Sequence, residues 1–350
     1  LTGLAELRLE VIGAEKAEAP LAYLPVPEAV ALRDRLLRLA VGTGAGPQAA
    51  QAEEPAEPGA AAAPAERHLH AVSNSDVLVG QLLTPQVWFV PFGVLGVVAQ
   101  FAYEPRWSFI GLASLVTAAV GVLQQPVRRI LEDWDFRAAM SPAGLRLRSG
   151  LVETRTQTVP AHRVQAVGVT WPLLWRPKRW LRCRIDVAGY GTGEQAGGVR
   201  GGRLLPVGTF DAARYLISEV LPGVDLAALP TTPPPARARW LAPLRQPVLR
   251  AGLTESVLVT WDGLLTRELV IVPYARIQSV RVVQGPLQRL LGLASVHADT
   301  AGRLHGAARH RDVGEAWLLA AELAQRARAA RDLADRAGAA PAADAGAQPP

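Results

Sequence analysis

"VPAHRVQAV" at residues 159–167 returns 113 positions later as "VPYARIQSV" at residues 272–280. Laid over each other at that offset without a gap, residues 150–189 and 263–302 share thirteen of forty positions: Gly150, Leu151, Val159, Pro160, Arg163, Gln165, Val167, Val169, Leu174, Arg176, Asp186, Ala188 and Gly189. Ordinary residue frequencies would give about three. The chain is therefore internally duplicated, and that decides its architecture before any single element is assigned. A shorter third copy stands at the start, where "GLAELRLEVIG" (3–13) lies over "GLASVHADTAG" (292–302). After each closing glycine and a loop of variable length comes a helix-like run, at 27–37, 209–221 and 314–324. On this plan residue 1 falls inside a module, and the reading expects a first module without its opening strands.

Within copy two the pattern is that of strands. Leu145 and Leu147 alternate with Arg146 and Arg148, "TRTQTVP" (154–160) is β-rich, and "RVQAVGVT" (163–170) alternates again. A break, "PLLWRPKRW" (172–180), precedes the strand-like "LRCRIDVAG" (181–189). Residues 209–221 carry Phe210, Ala213, Ile217 and Val220 at helical spacing. The expected fold class is mainly β with α: repeated small antiparallel barrels, each closed by a C-terminal helix. Pro160 and Pro273 each end a strand, because proline cannot donate to a ladder in a sheet interior. Arg163 and Arg276 follow at a turn, with Gln165 and Gln278 two residues on. Each arginine is expected to fork onto carbonyls or onto Asp186 or Asp299, and so hold the corner. A ligand or lipid-phosphate role for the Arg/Gln pair is the alternative.

Charged residues make up 19% of the chain, apolar ones 49%, and the net charge is +6. That balance makes nucleic acid the less favoured partner and fits a protein with part of its mass in a membrane. Residues 87–103 and 107–123 contain no charge, and only Glu104, Pro105 and Arg106 separate them. Each run would reach about 26 Å as a helix, at the short end of what spans a bilayer. Trp88, Tyr103 and Trp107 lie near the ends, where their rings suit the headgroup layer. A tight helix pair returns the chain to its starting side, and Arg67, Arg128 and Arg129 place both flanks in the cytoplasm. A buried hairpin of a soluble protein and a re-entrant hairpin are the alternatives.

The chain then divides into a remnant module (1–41), a flexible Ala/Pro/Gly-rich linker (42–84) and a transmembrane helix pair (85–130). A second module (131–222), a Pro-rich linker (223–247), a third module (248–328) and a disordered tail (329–350) follow. The lone Cys183 excludes a disulfide framework and reads as a small buried side chain.

A strand ending in V-P-x-x-R-[VI]-Q-x-V, then L-x-R near a break, then a strand closing on Ala-Gly, resembles the bacterial pleckstrin-homology-like domain of YdbS/YdbT-type membrane proteins. The resemblance covers residues 134–328 apart from the Pro-rich joint, and extends more weakly to the hairpin and to residues 1–40. It implies PH-like barrels with C-terminal helices, a multi-pass inner-membrane location and no catalytic residues. The motif residues it singles out are Pro160, Arg163, Gln165, Asp186 and Gly189 in copy two, and Pro273, Arg276, Gln278, Asp299 and Gly302 in copy three.

No His/Cys/carboxylate spacing matches a zinc site, and no P-loop, dinucleotide fingerprint or nucleophile elbow occurs. No metal, cofactor or catalytic group is expected. His68 and His70 read as solvated beside a linker, and the glycines of 189–202 as an inter-strand loop. The basic run "RPKRWLRCR" (176–184) holds Arg176, Lys178, Arg179, Arg182 and Arg184 with Trp175 and Trp180 interleaved. Such a mixture is drawn to anionic leaflets, so this cluster is the expected lipid contact. A solvated loop is its alternative. The functional expectation is a non-enzymatic, membrane-associated scaffold or lipid- or protein-binding module. The rivals are an envelope-stress or antimicrobial-peptide-resistance component and a transporter or intramembrane enzyme. The last would need ionisable groups inside the spans, and these runs hold no charged residue.

Overall fold

The computed structural model describes residues 4–9, 19–25, 67–84, 126–187 and 202–343 apart from 143, with single positions between 27 and 35 and between 92 and 124. Strands β1 (Leu4–Leu9) and β2 (Ala19–Pro25) form a hairpin of their own. Strand β3 (Arg67–Ala71) and helix α1 (Asn74–Leu82) come next. They are followed by β4 (Arg137–Ser141), β5 (Gly144–Ser149) and β6 (Arg155–Val159), which join β3 in a four-stranded antiparallel sheet in chain order. Strands β7 (Val164–Trp171), β8 (Leu181–Val187) and β9 (Arg203–Gly208) and helix α2 (Phe210–Val220) complete the second module. The third holds β10 (Arg250–Leu253), β11 (Val257–Asp262), β12 (Arg267–Pro273) and β13 (Ser279–Val283). Helix α3 (Pro286–Leu290), β14 (Leu293–Asp299), β15 (Gly306–Asp312) and helix α4 (Val313–Ala343) end it.

The duplication is kept residue by residue in the backbone. Leu145 lies opposite Val159 and Ser149 opposite Arg155; at the 113-residue offset, Leu258 lies opposite Val272 and Asp262 opposite Glu268. The next hairpin repeats as well, with Ala166 opposite Asp186 in one module and Ser279 opposite Asp299 in the other. Gly150 and Gly263 both turn the first of these hairpins at positive φ, +115° and +85°. A Cβ would run into the carbonyl oxygen of Glu153 at one and of Thr266 at the other, so only glycine fits. A register irregularity recurs at Ala5/Leu7, Leu181/Cys183 and Ala294/Val296, equivalent places in all three copies. A bulge locally bends and twists its strand, so the last hairpin of each copy carries one shared distortion.

Helix α2 starts at Thr209, whose hydroxyl accepts the Ala212 amide, and buries Ala213, Leu216, Ile217 and Val220. Helix α1 buries Val77 and Gly80 and is pinned where the Trp175 indole donates to the Gly80 carbonyl at 3.0 Å. One core fills the second module around Phe136, Trp175, Leu181, Ile185 and Leu216; a second fills the third around Leu258, Val272, Val296, Ala316 and Leu323.

Three expectations need correction. Residues 67–82 are not linker: β3 pairs with β4, and His68 and His70 ride on that strand, His70 half-buried with its pKa lowered by burial. The Pro-rich segment read as a linker between modules is docked on the third one. Thr232 bridges Ala251, and the buried Arg311 donates to the Thr232 carbonyl at 2.9 Å. Helix α4 continues to Ala343 through the region expected to be a disordered tail. Its Ala- and Arg-rich sequence favours helix, and Ala327, Arg326 and Arg331 tie the continuation to the third module, Arg331 reaching the Ile277 carbonyl at 2.9 Å.

The runs 87–103 and 107–123 lie largely outside the described residues. No helix among the described residues is long and apolar enough to cross a membrane. The positions described there include Phe92, Leu95 and Val98, which are helical and exposed.

Candidate functional site: the repeat corner and the module junction

Each nonamer folds as a strand end, a proline and one 3-10 turn. Pro160 and Pro273 both stand at φ −63°, with the turns Ala161–Arg163 and Tyr274–Arg276 behind them. Among the described residues, neither Arg163 nor Arg276 makes the clamp expected at this corner. Arg163 is exposed and Arg276 half-buried, and neither pairs with the aspartate of its own module. The reason is register. Asp299 lies directly opposite Ser279 and diagonal to Arg281, and cross-strand neighbours interact. It therefore accepts the Ser279 hydroxyl at 2.8 Å and the Arg281 guanidinium at 2.6 and 2.9 Å, while Arg276 sits on the turn before the strand. Gln165 is buried and its side-chain amide donates to the Arg163 carbonyl at 3.2 Å; Gln278 is exposed, and only its backbone N–H donates to the Asp299 carbonyl at 2.8 Å. Gly189 lies outside the described residues.

The duplicated positions meet elsewhere, at a junction no motif announced. β12 of the third module pairs with β7 of the second, Leu269 opposite Val169 and Ile271 opposite Val167. The outcome is one six-stranded sheet in the order β10-β11-β12-β7-β8-β9. Both faces of β12 are consequently buried: Leu269 and Ile271 join the core of the second module, Val270 and Val272 that of the third. Strands covered on both sides read as continuous apolar runs, and "LVIV" (269–272) is that signal in the sequence.

Polar contacts lock the seam. The Asp186 carboxylate accepts the Leu304 amide at 2.6 Å, and Gly302 passes so close that a Cβ would collide with that carboxylate. Gly168, standing where the third module has Arg281, leaves room for the Leu304 side chain. Arg176 donates to the carbonyls of Leu264 and Leu265 at 2.8 and 3.1 Å, and Arg184 pairs with Glu268 at 2.7 Å. Trp171 and Trp261 stack across the seam at 5.1 Å.

The basic run is thus divided among several tasks. Arg176 and Arg184 hold the neighbouring module. Arg182 lies over the Trp175 ring at 5.1 Å and donates to the Pro206 carbonyl at 3.2 Å. Burial, with Arg129, Arg203 and Arg184 nearby, brings its pKa down to about 10, opposed by Asp133, so it stays charged at neutral pH. Lys178 caps the Trp180 ring at 4.5 Å. Arg179 is exposed at φ +54°, the left-handed turn that Gly292 makes in the third module at +62°. Lys178 and Arg179 form no ion pair among the described residues.

Cys183 is buried, and burial raises its thiol pKa. Among the described residues no group of three or more His, Cys, Asp or Glu is placed to hold a metal ion.

Compared with known protein families, the chain matches the bacterial PH domain over residues 90–221 and again over 226–327, more than half of its length. The search of curated proteins and that of solved structures returned no match.

Proposed function

The chain belongs to the bacterial PH domain family, and from that membership we propose that it is a membrane-attached, non-catalytic scaffold of the YdbS/YdbT type. PH domains are in general binding modules and not catalysts. In this reading residues 1–41 are the end of a further PH-like module, and the fused second and third modules form one rigid platform on the cytoplasmic face of the inner membrane.

The observation that carries the reading is the placement of the described residues on either side of 85–125. Helix α1 precedes that segment and the helical residues 126–133 follow it, and both of these flanks belong to one module. The Val72 amide donates to the Phe136 carbonyl at 3.0 Å, and the Asp135 amide to the Asn74 side chain at 2.9 Å. Arg203 of β9 pairs with both Glu132 and the buried Asp133. An excursion anchored at both ends on one side must cross a bilayer an even number of times. Its two charge-free runs suit one crossing each, and the exposure of Phe92, Leu95 and Val98, 58–70%, suits lipid better than water.

Single-cysteine labelling tests this, because native Cys183 is buried. With a membrane-impermeant maleimide on intact cells, Glu104→Cys should react from outside. Arg148→Cys, exposed on the second module, should react only after permeabilisation. Labelling of both from the same side would end the proposal.

A further inference from the structure

The junction uses two strand edges, and the duplication supplies a second pair of the same kind with no strand on it among the described residues, although helix α4 packs against β13. β7 receives β12 inside the chain. Its equivalent in the third module, β13, is the outer strand of the sheet β13-β14-β15, and the equivalent of β12 in the second module, β6, is the outer strand of β3-β4-β5-β6. Among the described residues no strand pairs with either outer edge. We propose that β13 accepts β6 of a second copy of this chain, in the register that joins β7 to β12.

The 113-residue offset converts the observed pairs into intermolecular ones. Leu269 opposite Val169 becomes Thr156 opposite Val282, and Val270 opposite Gly168 becomes Gln157 opposite Arg281. No like charges then face each other directly, a condition for adding a strand to an edge. The polar lock has its counterpart too. Arg289 stands where Arg176 does, exposed, and its side chain has no partner among the described residues. Leu151 and Val152, the equivalents of Leu264 and Leu265, are exposed at the tip of the β5–β6 hairpin. Their carbonyls are the groups that Arg289 would take. Exposed Val283, Leu287 and Leu290 flank the acceptor edge.

The new join differs from the internal one in strength. Thr156 and Thr158 replace Leu269 and Ile271, so main-chain hydrogen bonds and not a shared core hold it. Such an edge contact is weak in dilute solution and gains from the high local concentration of chains confined to a membrane. Donor and acceptor edges differ, so the contact is head-to-tail and extends into rows.

The test mixes two differently tagged full-length variants, Thr156→Cys and Val282→Cys, in reconstituted membranes under mild oxidation. The mixed disulfide should form several-fold faster than from Gln157→Cys with Val282→Cys, which lies off register and on the other face. Adding Arg289→Ala to the acceptor should slow it. Equal rates for the two pairs, a dominant Val282→Cys homodimer, or no cross-link beyond that of random collision would each overturn the proposal.

Discussion

The carboxylate of Asp186 accepts the backbone amide of Leu304 at 2.6 Å, across the seam between two modules. Its repeat equivalent, Asp299, turns instead to Arg281 and Ser279 inside its own module. One duplicated aspartate thus holds a neighbour in the first copy and a local ion pair in the second.

Asp186→Ala should therefore destabilise the chain by about 1.5–3 kcal/mol, the range for a buried hydrogen bond to a charged group. Asp299→Ala, whose ion pair is partly exposed, should cost about 0.2–1 kcal/mol. Urea unfolding of both variants compares them directly, and equal losses would contradict the assignment of the seam to Asp186.

Asp299 also predicts a pH dependence. The hydrogen bond from Arg281, helped by Ser279 and opposed by burial, holds its pKa at about 2. That lies below the unfolded value of about 3.9. The stability it contributes is kept small, because Arg281 is largely exposed and solvent screens the pair. That contribution is thus fully present above the unfolded pKa and is lost as pH falls through the folded one. NMR titration of the Asp299 carboxyl should show the depressed midpoint, and Arg281→Gln should move it up toward the ordinary value.

Leu269 and Thr156 occupy the same place in the two copies, yet Leu269 is buried in the seam and Thr156 is exposed. Leu269→Ala should cost about 2–5 kcal/mol through the cavity it leaves. It should weaken both modules together, because the side chain serves the core of the second while its strand belongs to the third. Thr156→Ala should stay within about 0.5 kcal/mol of the parent. Hydrogen exchange resolves the two modules separately, and protection lost in the third alone would argue against a shared sheet.

Gly302→Ala should push its new methyl into the Asp186 carboxylate, a crowding that costs about 1–3 kcal/mol. Combined with Asp186→Ala, most of that penalty should vanish. Groups in contact are non-additive, so simple addition in a double-mutant cycle would place the two residues apart.

Much of the repeat could be read from residue patterns, since alternation, the paired prolines and Gly150 with Gly263 each act locally. The nonamer, the strand ends at Pro160 and Pro273 and the helix at Thr209 are of this kind. The partners of Asp186 and Arg176 were not legible, because they lie in another module and depend on which edges meet. The apolar run at 269–272 against the polar "RTQT" at 155–158 held the clue: equivalent strands with opposite composition sit in different surroundings. β3 was hidden for a related reason. It is separated from its partner β4 by residues 72–136, so it resembles the end of a linker until the pairing is seen.

The most direct test of the account is carbonate extraction of bacterial membranes carrying either the full chain or a variant with residues 85–125 replaced by a short Gly/Ser linker. The account predicts that the full chain stays in the washed pellet, while the variant is released with its second and third modules still folded. Release of the full chain by carbonate, or retention of the variant, would contradict it.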